Sequence, residues 1–192
     1  MKLHLLFILM GFSILLSCKK DKAEPAADVY VAGLERNASG INVPKIWKNG
    51  KIEHILTDGA SHAHTRSLFI TPNGEVYVAG RVSATLSSGL LAYYAQLWKD
   101  GQPSVFLSRL GECIANDVFV NDDIYVAGTM QERATVWKNG DYLYLTNGAY
   151  RAGLYCIYVD NGDVYAGGFE DKKKKKNIAK IWKNGVPIIL SS

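Results

Sequence analysis

Two short phrases recur four times in the same order along this chain, and few folds can accommodate that. The first is a Val-Tyr-Val-Ala-Gly-like run at residues 29–33, 76–80, 124–128 and, ending in a double glycine, 164–168. The second is an aliphatic residue followed by Trp-Lys-Asn/Asp-Gly at 46–50, 97–101, 136–140 and 181–185. It uses all four tryptophans, Trp47, Trp98, Trp137 and Trp182. The repeat tyrosines Tyr30, Tyr77, Tyr125 and Tyr165 are 47, 48 and 40 residues apart. A period of this size denotes supersecondary units that stack to share one core. Side chains that return at equivalent mid-strand positions pack between such units more readily than they cage a ligand. The tyrosines and tryptophans are therefore read as scaffold, with Gly33, Gly80, Gly128 and Gly168 closing each first phrase.

The third unit shows the strand pattern most plainly. Residues 117–120 are short and half apolar, Asn121-Asp122-Asp123 turns the chain, and 124–127 is a β-branched and aromatic run stopped by Gly128. Residues 134–138 alternate with period two into Asn139-Gly140, and 141–145 alternate again. That pattern predicts four short strands joined by turns. Asn-Gly favours a type I′ hairpin because both central residues need positive φ. It follows the tryptophan at Asn49-Gly50, Asn139-Gly140 and Asn184-Gly185, with Asp100-Gly101 in the second unit. It also lies between the first two strands at Asn73-Gly74 and Asn161-Gly162.

Tyr77-Val78-Ala79-Gly80 and its copies resemble the Tyr-Val-Thr/Ala-Gly core of bacterial β-propeller repeats. Residues 164–168 with the later Trp182 are also similar to kelch blades, which carry a double glycine before a tryptophan. The other three copies end in Ala-Gly. The resemblance covers about residues 28–192 and implies an all-β, β-propeller-like fold of four repeated four-stranded antiparallel sheets. It names no ligand. The first unit lacks its innermost strand, because residues 19–28 are charged and contain Pro25, so 15 strands are expected. Three arrangements are open: a small, imperfectly closed four-bladed ring, an arc that joins a second copy in a larger ring, or a shortened relative of a longer propeller protein.

Residues 1–17 stand apart from this pattern. Lys2 precedes a nearly unbroken apolar run at 3–16, too short for a spanning helix, and Leu15-Leu16-Ser17-Cys18 ends it. This resembles the bacterial lipobox, whose cysteine is cleaved to the N-terminus and acylated, palmitate included. The resemblance implies a signal peptide over 1–17, a lipid on Cys18, a tether over 18–28 and a repeat domain over 29–192. Two acyl chains hold a protein stably. No aspartate follows Cys18 directly, which implies outer-membrane placement on the periplasmic or the surface side. The net charge of +4 is mild, and the five lysines at 172–176 supply much of it, so no nucleic-acid partner is expected. Cys113 and Cys156 carry no disulfide spacing and are expected to be small buried hydrophobes.

In such a sheet order the tight turns share one face and the variable loops the other. From repeat glycine to repeat tryptophan the separations are 14, 18, 9 and 14 residues, so the variable face is the candidate binding face. Its named residues are His62, His64, Arg66, Tyr93, Tyr94, Arg109, Tyr150 and Arg151. Tyrosine with arginine suits protein contacts, and aromatic faces suit sugars. The pattern therefore points to a non-catalytic binding or assembly module of the envelope, with an envelope protein or glycan as partner. Self-association is the third possible contact. No catalytic residue, metal site or cofactor is signalled: His62 and His64 lack further ligands, and Asp122-Asp123 and Asp160-Asn161-Gly162-Asp163 read as turns. A carbohydrate-active hydrolase or lyase is the alternative. Its carboxylates would come from Glu35, Asp58, Glu112, Glu132, Glu170 and Asp171.

Overall fold

The computed structural model describes residues 27–106, 112–173 and 175–190. The expected signal peptide, Cys18, most of the tether and Arg109 lie outside them. Among the described residues, fifteen strands form four antiparallel sheets. Sheet one holds β1 (Tyr30–Arg36), β2 (Asn42–Lys48) and β3 (Lys51–Ile55). Sheet two holds β4 (Ala63–Ile70), β5 (Val76–Thr85), β6 (Leu91–Lys99) and β7 (Gln102–Phe106). Sheet three holds β8 (Cys113–Val120), β9 (Ile124–Met130), β10 (Arg133–Lys138) and β11 (Asp141–Tyr144). Sheet four holds β12 (Ala152–Asp160), β13 (Asp163–Lys172), β14 (Lys175–Lys183) and β15 (Val186–Ile189). Each is a simple up-and-down meander, so the fold is all-β and propeller-like. Among the described residues the first unit has three strands, as expected from its sequence.

Hydrophobic faces join the sheets in series. Ile46 and Leu56 of unit one pack with Val76, Val78 and Trp98. Ala79, Ala95 and Leu97 of sheet two pack with Trp137, and Ala127, Ala134 and Val136 of sheet three with Trp182. Each repeat tryptophan thus faces the sheet before it. Trp98 also donates its indole N–H to the Leu56 carbonyl at 2.9 Å. Trp98, Trp137 and Trp182 are fully buried. Trp47, with no sheet before it, is half-buried, and its cross-strand neighbour Val31 is 53% exposed. Among the described residues, no packing of comparable extent joins sheet four back to sheet one.

The second phrase is a clasp. Asn49, Asp100, Asn139 and Asn184 have φ near 50° and their glycines follow at positive φ, as type I′ turns demand. Each side chain then accepts the N–H that opens the unit's first-phrase strand: Val29, Val76, Ile124 and Val164. The three asparagines donate to Asp28, Asp123 and Asp163. Lys48, Lys138 and Lys183 pair with the same acids, and Lys99 with Glu75. All four ammonium groups lie 5.1–5.3 Å from the centroid of the repeat tyrosine. The motif therefore pins the turn, the strand start and the tyrosine ring together.

Three local expectations change. Asn73 is not at positive φ; Gly74 alone is, because Thr71 hydrogen-bonds Glu75 through backbone and hydroxyl and makes a five-residue turn. Cys113 is buried, but Cys156 is exposed on the innermost strand of sheet four. The lysine run is divided between strands rather than forming a loop, Lys172 pairing with Lys175 across the β13–β14 hairpin.

The inner strands β4, β8 and β12 are tied through Asp117, which accepts the Ser67 hydroxyl at 2.6 Å and the Ile157 N–H at 2.8 Å. Asp117→Ala strands both donors and is expected to cost about 2–3 kcal/mol in urea unfolding, against less than about 0.5 kcal/mol for an exposed control.

The clasps set an acid limit. Their lysines, first, and then their asparagines hold Asp28, Asp123 and Asp163 below the ordinary carboxylate value of 3.8. With a lower pKa folded than unfolded, each contributes stability above pH about 4 that is lost as pH falls through the folded value. Asp123→Asn should lower the melting temperature at neutral pH and lose less of it on acidification. Thermal melts from about pH 7 to pH 2 would show this.

Candidate functional site

Each of the three inner strands carries one β-bulge, at equivalent positions. Pairing slips between Thr65 and Ser67, between Ala115 and Asp117, and between Leu154 and Cys156, leaving Arg66, Asn116 and Tyr155 as the extra residues. Opposite the three bulges stand Gly80, Gly128 and Gly168. A Cβ there would lie 2.0, 1.9 and 2.0 Å from the carbonyl oxygens of His64, Ile114 and Gly153. The glycine of the first phrase is thus required by close approach of the bulged strand, and the bulge re-aims one side chain per sheet.

All three re-aimed residues line one cleft of about 370 Å³, together with Glu112, Glu132, Arg151 and Phe169. Tyr155 is 63% exposed and stacks on Phe169, centroids 5.6 Å apart and planes at 26°. The Arg151 guanidinium is 5.0 Å from the same ring and its Nε is 4.0 Å from Asp171. Asn116 donates to the Leu154 carbonyl at 2.7 Å, fixing its amide between sheets three and four. At the rim, Gln131 and Glu132 form the two-residue turn between β9 and β10 with φ of 52° and 59°. Positive φ at both positions is what a two-residue type I′ hairpin turn requires, and it brings Glu132 to the cleft. Two arginines face two glutamates around an aromatic platform, so the wall offers donors and acceptors without an excess of either charge. That composition suits a polar ligand with a flat apolar face.

The candidate residues divide. Arg66 and Arg151 share the cleft. His62 and His64 turn to sheet one instead: His62 Nδ1 accepts the Asn42 N–H at 3.0 Å, and His64 Nε2 is 3.4 Å from the Asn42 amide. Burial first, and then Arg81, Arg66 and His62, hold His64 below the ordinary histidine range, so it is neutral at pH 7. Tyr93 and Tyr94 belong to strand β6 rather than to a loop, and Tyr93 lies under Arg81 at 4.2 Å. Tyr150 lines a separate shallow cleft with Glu170, Lys172 and Lys173. Asp123 and Asp163 are engaged in clasps, as described above. An apolar gap of about 360 Å³ between sheets three and four, lined by Val136, Leu143 and Trp182 among others, belongs to sheet stacking and contains no inner-strand residue.

Asn116, Tyr155 and Phe169 were not among the expected site residues. A signal for the first two exists. The inner strands carry, at or next to their ends, Leu68-Phe69-Ile70, Val118-Phe119-Val120 and Ile157-Tyr158-Val159, and the bulged residue is two before each triplet.

No family model matches the chain, and no curated protein matches it. Among solved structures it is similar to the crystal structure of polysaccharide lyase Uly1. Identity is 12% and the TM-score 0.38, over 84% of this chain and 46% of that one. The chain therefore spans less than half the length of that structure.

Proposed function

We propose that the protein is a non-catalytic binding or assembly module of the bacterial cell envelope, tethered by a lipid on Cys18, that takes its ligand in the cleft lined by Arg66, Asn116 and Tyr155. One observation supports the site above all: three sheets independently bulge at the same position, and the three displaced side chains meet on one cavity. A scaffold requirement alone would be met by the bulges without a shared opening. The tether rests on the Leu-Leu-Ser-Cys sequence at 15–18, which favours outer-membrane placement. The ligand is an envelope protein or glycan that presents a flat face to Tyr155 and hydrogen-bonding groups to Arg66, Arg151 and Asn116.

A second reading has its own observation. Glu112 and Glu132 line the same cleft, so a carbohydrate-active enzyme using a carboxylate pair is the alternative.

Binding of envelope glycans and of proteins from envelope extract should be compared between the protein and its Arg66→Ala and Tyr155→Ala variants. Each variant is expected to weaken binding about tenfold or more while melting normally. Unchanged binding by both would remove the cleft from consideration. Turnover of any polysaccharide that is abolished by Glu112→Gln or Glu132→Gln would establish the enzymatic alternative instead. Cys18→Ser is expected to shift the protein from the membrane to the soluble fraction; retention in the membrane would refute the tether.

A further inference from the structure

Sheet one is built for an inner strand that the described residues do not supply. By the alternation of the ladder, the N–H and C=O groups of Tyr30, Ala32 and Leu34 point away from β2, as do those of their equivalents in the other sheets. There, the equivalent groups of β5, β9 and β13 are paired with an inner strand. Among the described residues β1 pairs with β2 alone. Val31 and Leu34 are 53% and 41% exposed, whereas residues 76–80 of β5 are all buried.

Gly33 makes the vacancy specific. In the other sheets the repeat glycine exists because an inner-strand carbonyl approaches to about 2 Å from where a Cβ would be. At Gly33 a Cβ would meet only the Trp47 ring, at 3.2 Å. The feature that admits a bulged inner strand is present where none is seen.

We infer that β1 is an acceptor edge at which an extended segment of another protein chain docks antiparallel and completes sheet one. The three resident inner strands state its chemistry. Each carries, at or next to its end, an aliphatic residue, an aromatic and a β-branched residue, and the aromatics form a row, Phe69 to Phe119 at 5.1 Å and Phe119 to Tyr158 at 5.2 Å. The incoming aromatic would extend that row from Phe69, and its bulged carbonyl would sit on Gly33. The residues directly before β1 do not carry this pattern. Through a three-residue turn like that at 121–123, Ala23-Glu24-Pro25 would stand where the triplet belongs, with an acid in the aromatic row and a proline without an N–H.

The probe is a synthetic peptide with the sequence of residues 62–70, His-Ala-His-Thr-Arg-Ser-Leu-Phe-Ile, titrated into the purified protein. Amide exchange at Ala32 and Leu34 is expected to slow about tenfold or more, and the emission of Trp47 to shift to the blue. Gly33→Ala should leave the melting temperature nearly unchanged and weaken peptide binding roughly tenfold or more, since its Cβ occupies the place of the incoming carbonyl. A peptide with glutamate in place of its phenylalanine should not bind. Equal binding by Gly33→Ala, or no protection in β1, would overturn the inference. So would protection of Ala32 and Leu34 before peptide is added: in a dimer by sedimentation it assigns the edge to a second copy, and in a monomer to this chain itself.

Discussion

A carbonyl oxygen placed where a side chain would begin is the contact on which the rest of this architecture turns. Gly80, Gly128 and Gly168 leave room for the bulged inner strand, and any Cβ there would force that strand away by more than an ångström. Because the bulge is held, Ala115 and Asp117 both face inward-packed neighbours, and Asp117 can reach Ser67 and Ile157 on either side. The residue left over lines the cleft. One steric exclusion thus produces both the tie between sheets and the lining of the cleft.

The clasp acts at the opposite end of each strand and by different physics. Its lysines and acids are exposed, so each ion pair contributes little alone. What matters is that the turn residue lies 15 to 24 residues from the strand's first N–H, and that the acid directly before that N–H joins the same closure. That contact fixes the register between the two phrases of a unit, and a slip of one residue would turn each tryptophan away from the preceding sheet. Register at one end and the glycine contact at the other leave the loops between them free to vary, as the separations of 9 to 18 residues show.

The turns and the packing of the aromatics were legible in the sequence because both are decided locally: an Asn-Gly pair sets its own φ, and alternation sets which face is buried. The three-stranded first sheet among the described residues was legible for the same reason, since residues 19–28 are charged and contain Pro25. The cleft was not. Whether Arg66 or Asn116 faces core, solvent or cleft depends on a slip in pairing opposite Gly80 or Gly128, and alternation alone gives the wrong parity beyond it. The placement of Tyr93 and Tyr94 in a strand was hidden for a different reason. The long separation in unit two suggested a loop, but Ala92 and Ala95 are buried, and the strands simply extend to Thr85 and Leu91.

Sheet one shows how far a unit can stand without its inner strand. Its clasp is complete, with Asp28, Lys48 and Asn49 all engaged, so the β1–β2 hairpin is as well specified as the others. Its burial is not. Ile46 and Leu56 are covered only because sheet two lies over them, while Val31, Ile52 and Ile55 are half or more exposed on the other side. Stability that comes from one face and from short-range turns is lost in small cooperative openings, earlier than that of sheets packed on both faces. Sheet one is therefore the unit whose order depends most on what lies against it, and Gly33 sits at the edge where that dependence is greatest.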